Sequence, residues 1–174
     1  MASAAIYLLG FMGSGKSTVG RLLADQLGRV FHDTDQLVEA AEGRTVAEIF
    51  RASGEAGFRR LEWAALQRLP GDDAIVIACG GGIGLGFTQR RWLRQHGRTV
   101  WLDAPLWLLR QRLAQQPEGA SRPLWSADNL VGTRILFERR RAGYALADLR
   151  VDASESAPVV AQRIRQALIS PNFC

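Results

Sequence analysis

Three groups of residues have types and spacings that could do chemistry. The first is Gly10-Phe11-Met12-Gly13-Ser14-Gly15-Lys16-Ser17-Thr18, which fits G-x-x-x-x-G-K-[ST]. Apolar residues run into it from Ala4 to Leu9, and a helical pattern leaves it. That context suits a phosphate-binding loop, whose backbone N–H groups and helix dipole meet phosphate oxygens at a helix N-terminus. Gly13, Ser14, Gly15, Lys16, Ser17 and Thr18 are therefore the candidate nucleotide-binding set. Lys16 would place a point charge at the outer phosphates of ATP, and the Ser17 hydroxyl would hold Mg²⁺. The chain has 22 Lys+Arg, yet Lys16 is its one lysine. An ammonium on a flexible stem and a planar guanidinium are not interchangeable in a phosphate cradle, so the exception marks a need.

The second group is Asp33-Thr34-Asp35, after the short apolar stretch Val30-Phe31. On an extended strand end the two carboxylates face one side. Asp33 would then orient Mg²⁺, and Asp35 would accept a hydrogen bond from an acceptor hydroxyl and serve as a base. The other reading is a turn in which an Asx side chain caps the next helix. The third group joins Gly80-Gly81-Gly82, which removes every side chain from a strand exit, to Arg59 and Arg60 with Glu62 three residues on. Glycine permits unusual φ and close backbone approach to a ligand. An arginine braced by a carboxylate one helical turn away can meet a substrate carboxylate bidentately. A solvated helix face is the plainer reading of these arginines and of Arg139, Arg140 and Arg141.

These groups need a scaffold that brings them together. The apolar runs Ala4–Leu9, Val30–Phe31, Ala74–Cys79, Thr99–Leu102 and Leu149–Asp152 read as five strands. Helical patterns lie between them: from Lys16 to Leu27, Gln36 to Ala41, Val46 to Arg51, Gly54 to Leu69, Phe87 to His96, Leu106 to Leu113, Asn129 to about Ala147, and Val159 to Leu168. Thr45 with Glu48 forms a capping box, Gly97 is read as a helix stop, and Pro105 fits the first turn of its helix. Gln115 to Asp128 lacks periodicity and has the length of a lid, within which Arg122 would close on phosphates. Alternating strands and helices predict a three-layer α/β/α fold with a five-stranded parallel sheet, P-loop NTPase type. Ligands of such sheets bind beyond the carboxyl ends of the strands, where all three groups fall.

Composition sets the bounds. The 174 residues suit a single domain spanning 1–174. Hydrophobic content of 47% and charged content of 22% are ordinary for a globular protein. No apolar run reaches the length of a membrane span, no signal-type N-terminus is present, and Cys79 and Cys174 make no disulfide framework. A cytoplasmic location is expected. The net charge of +5 permits nucleic-acid binding, but the arginines are dispersed, which favours an enzyme of anionic ligands over a nucleic-acid module. His32, His96 and the tryptophans read as structural.

Over nearly its whole length the chain resembles the shikimate kinases. The resemblance is carried by Gly10 to Gly20, Asp33-Thr34-Asp35, Gly57-Phe58-Arg59-Arg60-Leu61-Glu62, Gly80-Gly81-Gly82 and Arg122-Pro123-Leu124, in that order and spacing. It implies ATP-dependent phosphorylation of the 3-hydroxyl of shikimate, in chorismate and aromatic amino-acid biosynthesis, by a monomer of nucleoside-monophosphate-kinase-like fold. It also implies substrate contacts at Asp35, Arg59, Gly81 and Arg140, a carboxylate near Mg²⁺ at Asp33, a lid arginine at Arg122 and an arginine near the adenine at Arg112. The late helix departs from the family, reading Arg140-Arg141-Ala142-Gly143-Tyr144 where R-x-P-L-Y is usual. The substrate arginine there is open between Arg140 and its neighbours. Gluconate kinase is the runner-up: it would share the fold and the P-loop.

Overall fold

The computed structural model describes residues 4–69, 74–115 and 129–170. The described residues form, in order, β1 (Ala5–Leu9), α1 (Lys16–Leu27), β2 (Val30–Asp33), α2 (Thr34–Glu42), α3 (Val46–Gln67) and β3 (Ile75–Ala78). There follow α4 (Phe87–His96), β4 (Gly97–Asp103), α5 (Leu106–Ala114), α6 (Leu130–Tyr144), β5 (Leu149–Asp152) and α7 (Ala157–Ile169). The five strands make one parallel sheet in the order β2-β3-β1-β4-β5. Helices cover both faces, so β1 and β3 are buried at every residue and read as unbroken apolar runs. The edge strands β2 and β5 are only partly buried.

The main core is this sheet with the inner faces of α1, α5 and α7 and with Leu66 of α3, Leu93 of α4, and Phe137 and Tyr144 of α6. Gly20 lets α1 approach β2: a Cβ there would sit 2.5 Å from the Phe31 ring. A second, separate cluster of Val38, Ile49 and Phe58 lies between α2 and α3. Each such side chain contributes about 1.5–3 kcal/mol by leaving water. The lobe that carries Arg59 thus rests on a small core of its own.

Three expectations change. The helices read as Val46–Arg51 and Gly54–Leu69 join into α3, which kinks at Gly54 (φ 65, ψ −176). Thr45 and Glu48 do form the capping box at its start. Helix α4 ends at His96 as expected, and Gly97 after it is extended and opens β4, where a Cβ would collide with the Ala5 carbonyl of β1. Pro105 is the residue before α5, extended at ψ 144, rather than part of its first turn. Asp35 is not on a strand end. Helix α2 begins at Thr34, so Asp33 closes β2 and Asp35 sits in the first turn of α2. The alternative of an Asx cap is realised: the Asp33 side chain accepts from the Asp35 backbone N–H at 3.0 Å.

Candidate active site

The chain ends β1 at Leu9 and turns on three glycines before α1. Gly10, Gly13 and Gly15 have φ of 149, 79 and 87, a backbone region that side-chain-bearing residues rarely adopt. A Cβ on Gly13 would also press within 2.8 Å of the Leu109 carbonyl. This loop floors a cleft of about 930 Å³ at the carboxyl edge of the sheet. Gly13, Ser14, Gly15, Lys16, Ser17 and Thr18 all line it. Lys16 Nζ donates to the Gly10 and Phe11 carbonyls at 2.9 and 3.0 Å, which holds the ammonium within the loop. The Ser14 hydroxyl is buried beneath the loop with no hydrogen-bond partner among the described residues.

Asp33 links the loop to β2. Its Oδ2 accepts from the Ser17 hydroxyl at 2.6 Å while Oδ1 caps α2. One carboxylate does both jobs, so the cap and the functional reading coexist. Ser17 and Asp33 together present hard oxygen donors on the cleft wall, the donor type Mg²⁺ takes when it keeps few protein ligands. Among the described residues no group of three or more His, Cys, Asp or Glu side chains is placed to hold a metal.

The opposite wall carries Asp35, Arg59 and Arg140. Arg59 Nη1 donates to Glu62 Oε2 at 2.7 Å, and Glu62 is 0% exposed. Glu62 is fixed in turn by Thr34, which donates to its Oε1 at 3.4 Å and accepts from the Gly80 N–H at 2.8 Å. Burial pushes the Glu62 carboxyl up to about 6, and the Asp35 charge adds to the shift while Arg59 opposes it. Burial also works against the Arg59 charge, but Glu62, Glu55 and Asp35 outweigh it and hold the guanidinium above its ordinary range. At neutral pH both members of the pair are ionised.

The late helix resolves itself by burial. Arg139 and Arg141 are exposed, whereas Arg140 is 4% exposed and lines the cleft. Its guanidinium lies 5.9 Å from the centre of the Phe11 ring. Tyr144, one turn on, donates to the Gly81 carbonyl at 2.6 Å and ties α6 to the glycine turn. Burial lowers the proton affinity of Arg140, and the Arg59 charge lowers it further.

The glycine turn serves by removing side chains, as expected, and not by unusual φ. None of Gly80, Gly81 and Gly82 is among the glycines of positive φ. What each supplies is room. A Cβ on Gly80 would overlap the Glu62 carboxylate, one on Gly81 would lie 2.7 Å from Arg140 Nη1, and one on Gly82 would lie 2.5 Å from Arg59 Nε. The three glycines admit three charged side chains, one each. Gly80 and Gly81 line the cleft; Gly82 stands behind Arg59.

Arg112, at the other end of the cleft, reaches the loop after β5. It donates to the carbonyls of Ala153, Ser154 and Glu155 at 2.9, 3.1 and 3.3 Å, and so shapes the wall beyond the P-loop. Arg122 and nearly all of the expected lid lie outside the described residues. Sequence reasoning missed Thr34 and Glu55. Thr34 carried no signal beyond standing between two aspartates. Glu55 carried one, the i,i+4 spacing to Arg59.

A P-loop on a parallel sheet, facing an acceptor wall of paired arginines and a carboxylate, defines a P-loop phosphotransferase for a small anionic acceptor. A model of the shikimate kinase family matches residues 12–169. The shikimate kinase of Persephonella marina is 42% identical over 153 residues, 88% of this chain and 91% of that one. The structure of the Acinetobacter baumannii shikimate kinase in complex with shikimate superposes with a TM-score of 0.88 at 37% identity, covering 95% of this chain and 93% of that one. A gluconokinase from Sinorhizobium meliloti shares the fold, with a TM-score of 0.65 at 20% identity over 96% of this chain and 92% of that one. The chain belongs to the shikimate kinase family.

Proposed function

We propose that the protein transfers the γ-phosphoryl group of ATP to the 3-hydroxyl of shikimate, giving shikimate 3-phosphate and ADP, in chorismate and aromatic amino-acid biosynthesis. The observation that carries the substrate half is the Arg59–Glu62 pair. A buried carboxylate fixes one face of the guanidinium and leaves it aimed into the cleft beside Arg140. A site of that kind recognises a carboxylate bidentately.

The chain's own groups supply the rest. The loop amides from Gly13 to Thr18 receive phosphate oxygens, and Lys16 neutralises charge on the transferred group. Asp35 accepts the hydrogen bond of the acceptor hydroxyl and takes its proton; the first turn of α2 favours a negative charge there. Arg59 and Arg140 hold the acceptor carboxylate, with Gly80, Gly81 and Gly82 giving the space. Ser17 and Asp33 would hold Mg²⁺, which supplies charge neutralisation at the phosphates. Arg112 braces the adenine side, and Arg122 would reach the phosphates from the lid. The protein acts as a cytoplasmic monomer. No described helix is long and apolar enough to cross a membrane.

Coupled ADP release by purified protein tests the reading. Shikimate should stimulate it strongly, and gluconate or nucleoside monophosphates should not. Release indifferent to shikimate would refute it.

A further inference from the structure

Helix α3 kinks at Gly54, where a Cβ would meet nothing within 4 Å, so the glycine serves the backbone turn and not the packing. The turn delivers the next residue, Glu55, to the acceptor wall. Glu55 Oε1 accepts from Arg59 Nε and Nη2 at 3.4 Å and from Arg140 Nη2 at 3.3 Å. One carboxylate oxygen thus bridges the two arginines assigned to the acceptor's carboxylate. The bridge differs from the Glu62 contact in every respect that governs permanence. Glu62 is buried and bonded at 2.7 Å, while the Glu55 side chain is 45% exposed and its bonds are all long.

We propose that Glu55 is a displaceable internal competitor for the acceptor carboxylate, so that this residue tunes acceptor affinity. The inference rests on the shikimate kinase reading. Charge balance gives the reason. Arg59 and Arg140 carry two positive charges, Glu55 and Glu62 are paired with them, and the Asp35 carboxylate stands on the same wall. Two guanidinium groups this close repel, and Glu55 screens them. An incoming carboxylate adds a further negative charge and needs the guanidinium donors that Glu55 occupies, so Glu55 is the carboxylate that gives way. Glu62 is locked by burial and by Thr34, whereas Glu55 needs only to turn into water at little desolvation cost. The exchange keeps the arginines paired throughout.

The experiment compares the full-length protein with Glu55→Gln, which keeps size and removes charge. Shikimate binding by titration calorimetry and KM from coupled ADP release should both improve by about two- to fivefold, the scale of an exposed ion pair. KM should move more than kcat. The methyl ester of shikimate, which has no carboxylate, should show no such gain. Unchanged or weaker shikimate binding in Glu55→Gln overturns the proposal, since Glu55 would then be a bystander or a direct contact. Acetate gives an arm that does not depend on shikimate: its rise in melting temperature should be larger for Glu55→Gln, and an equal rise overturns the proposal. If the unsubstituted protein fails to phosphorylate shikimate, the functional reading falls, and the acetate comparison alone decides the role of Glu55.

Discussion

The loop proposed to hold the phosphates is one unbroken stretch, Gly10 to Thr18, whereas the wall proposed to hold the acceptor is assembled from four: Thr34–Asp35, Glu55–Glu62, Gly80–Gly82 and Arg140–Tyr144. The first is made of backbone, and its glycines are demanded by left-handed φ. The second is made of charged side chains, and its glycines are demanded by space. The first sits on β1 and the main core; the Arg59 lobe sits on Val38, Ile49 and Phe58. A phosphate is recognised by donors that any peptide carries, so folding one segment correctly is enough. A particular acceptor must be recognised by side chains whose mutual placement no single segment controls.

Substitutions in the two halves should therefore fail in different ways. The largest effect is expected at the single lysine. Lys16→Arg conserves charge, but kcat should fall by about a hundredfold or more, the scale of losing a preorganised electrostatic contact. Steady-state kinetics at saturating shikimate would check it, and near-normal turnover would remove the special status of Lys16. In the acceptor half, Arg59→Ala should act mainly on the KM for shikimate, by about 2–3 kcal/mol, the upper range for a charge-assisted pair. An effect confined to the KM for ATP would place Arg59 in the wrong half.

A pair of glycine substitutions separates conformation from space. Gly15→Ala meets only Val19 Cγ2 at 3.8 Å, so its penalty is backbone strain at φ 87, about 1–2 kcal/mol of stability read as a lower melting temperature. Gly82→Ala has no such strain but pushes on Arg59, so it should raise the KM for shikimate by about tenfold, a fraction of the loss expected for deleting the side chain. If both substitutions lower the melting temperature and neither moves that KM, the contrast between the halves is lost.

The smallest effect is a pH dependence of the acceptor half alone. Glu62 has its carboxyl raised from about 4.5 to about 6. The folded protein therefore binds this proton more tightly than the unfolded chain does. Glu62 contributes stability that is present below pH 4.5 and is lost as pH rises through 6, about 2 kcal/mol in all. Activity runs the other way. As pH falls through about 6, Glu62 is protonated, its grip on Arg59 weakens, and the KM for shikimate should rise a few-fold while the KM for ATP does not. A KM–pH profile of Glu62→Gln should lack that step.

How much of this was legible follows the same division. The strands appear where apolar runs predict them, because a doubly covered parallel sheet buries both faces of β1 and β3. The capping box at Thr45 and the ion pair of Arg59 with Glu62 are spacings within one helix, and both form. The expected strand geometry of Asp33 and Asp35 does not form, because a helix claims Thr34 and Asp35 as its first residues and turns Asp33 into its cap. The choice among Arg139, Arg140 and Arg141 was beyond sequence, since it depends on which face of α6 meets the glycine turn.

What the sequence determined by itself is the phosphate loop, the alternation of strands and helices, and the pairing of Arg59 with Glu62. Each is a relation between residues within a few positions of one another, where chain geometry fixes the distance. What only the tertiary structure decided is the fit of Glu62, Arg140 and Arg59 over Gly80, Gly81 and Gly82, and the bridge that Glu55 makes between arginines 81 residues apart. Those contacts join segments far apart in the chain, and their distances exist only once the sheet has set the segments side by side.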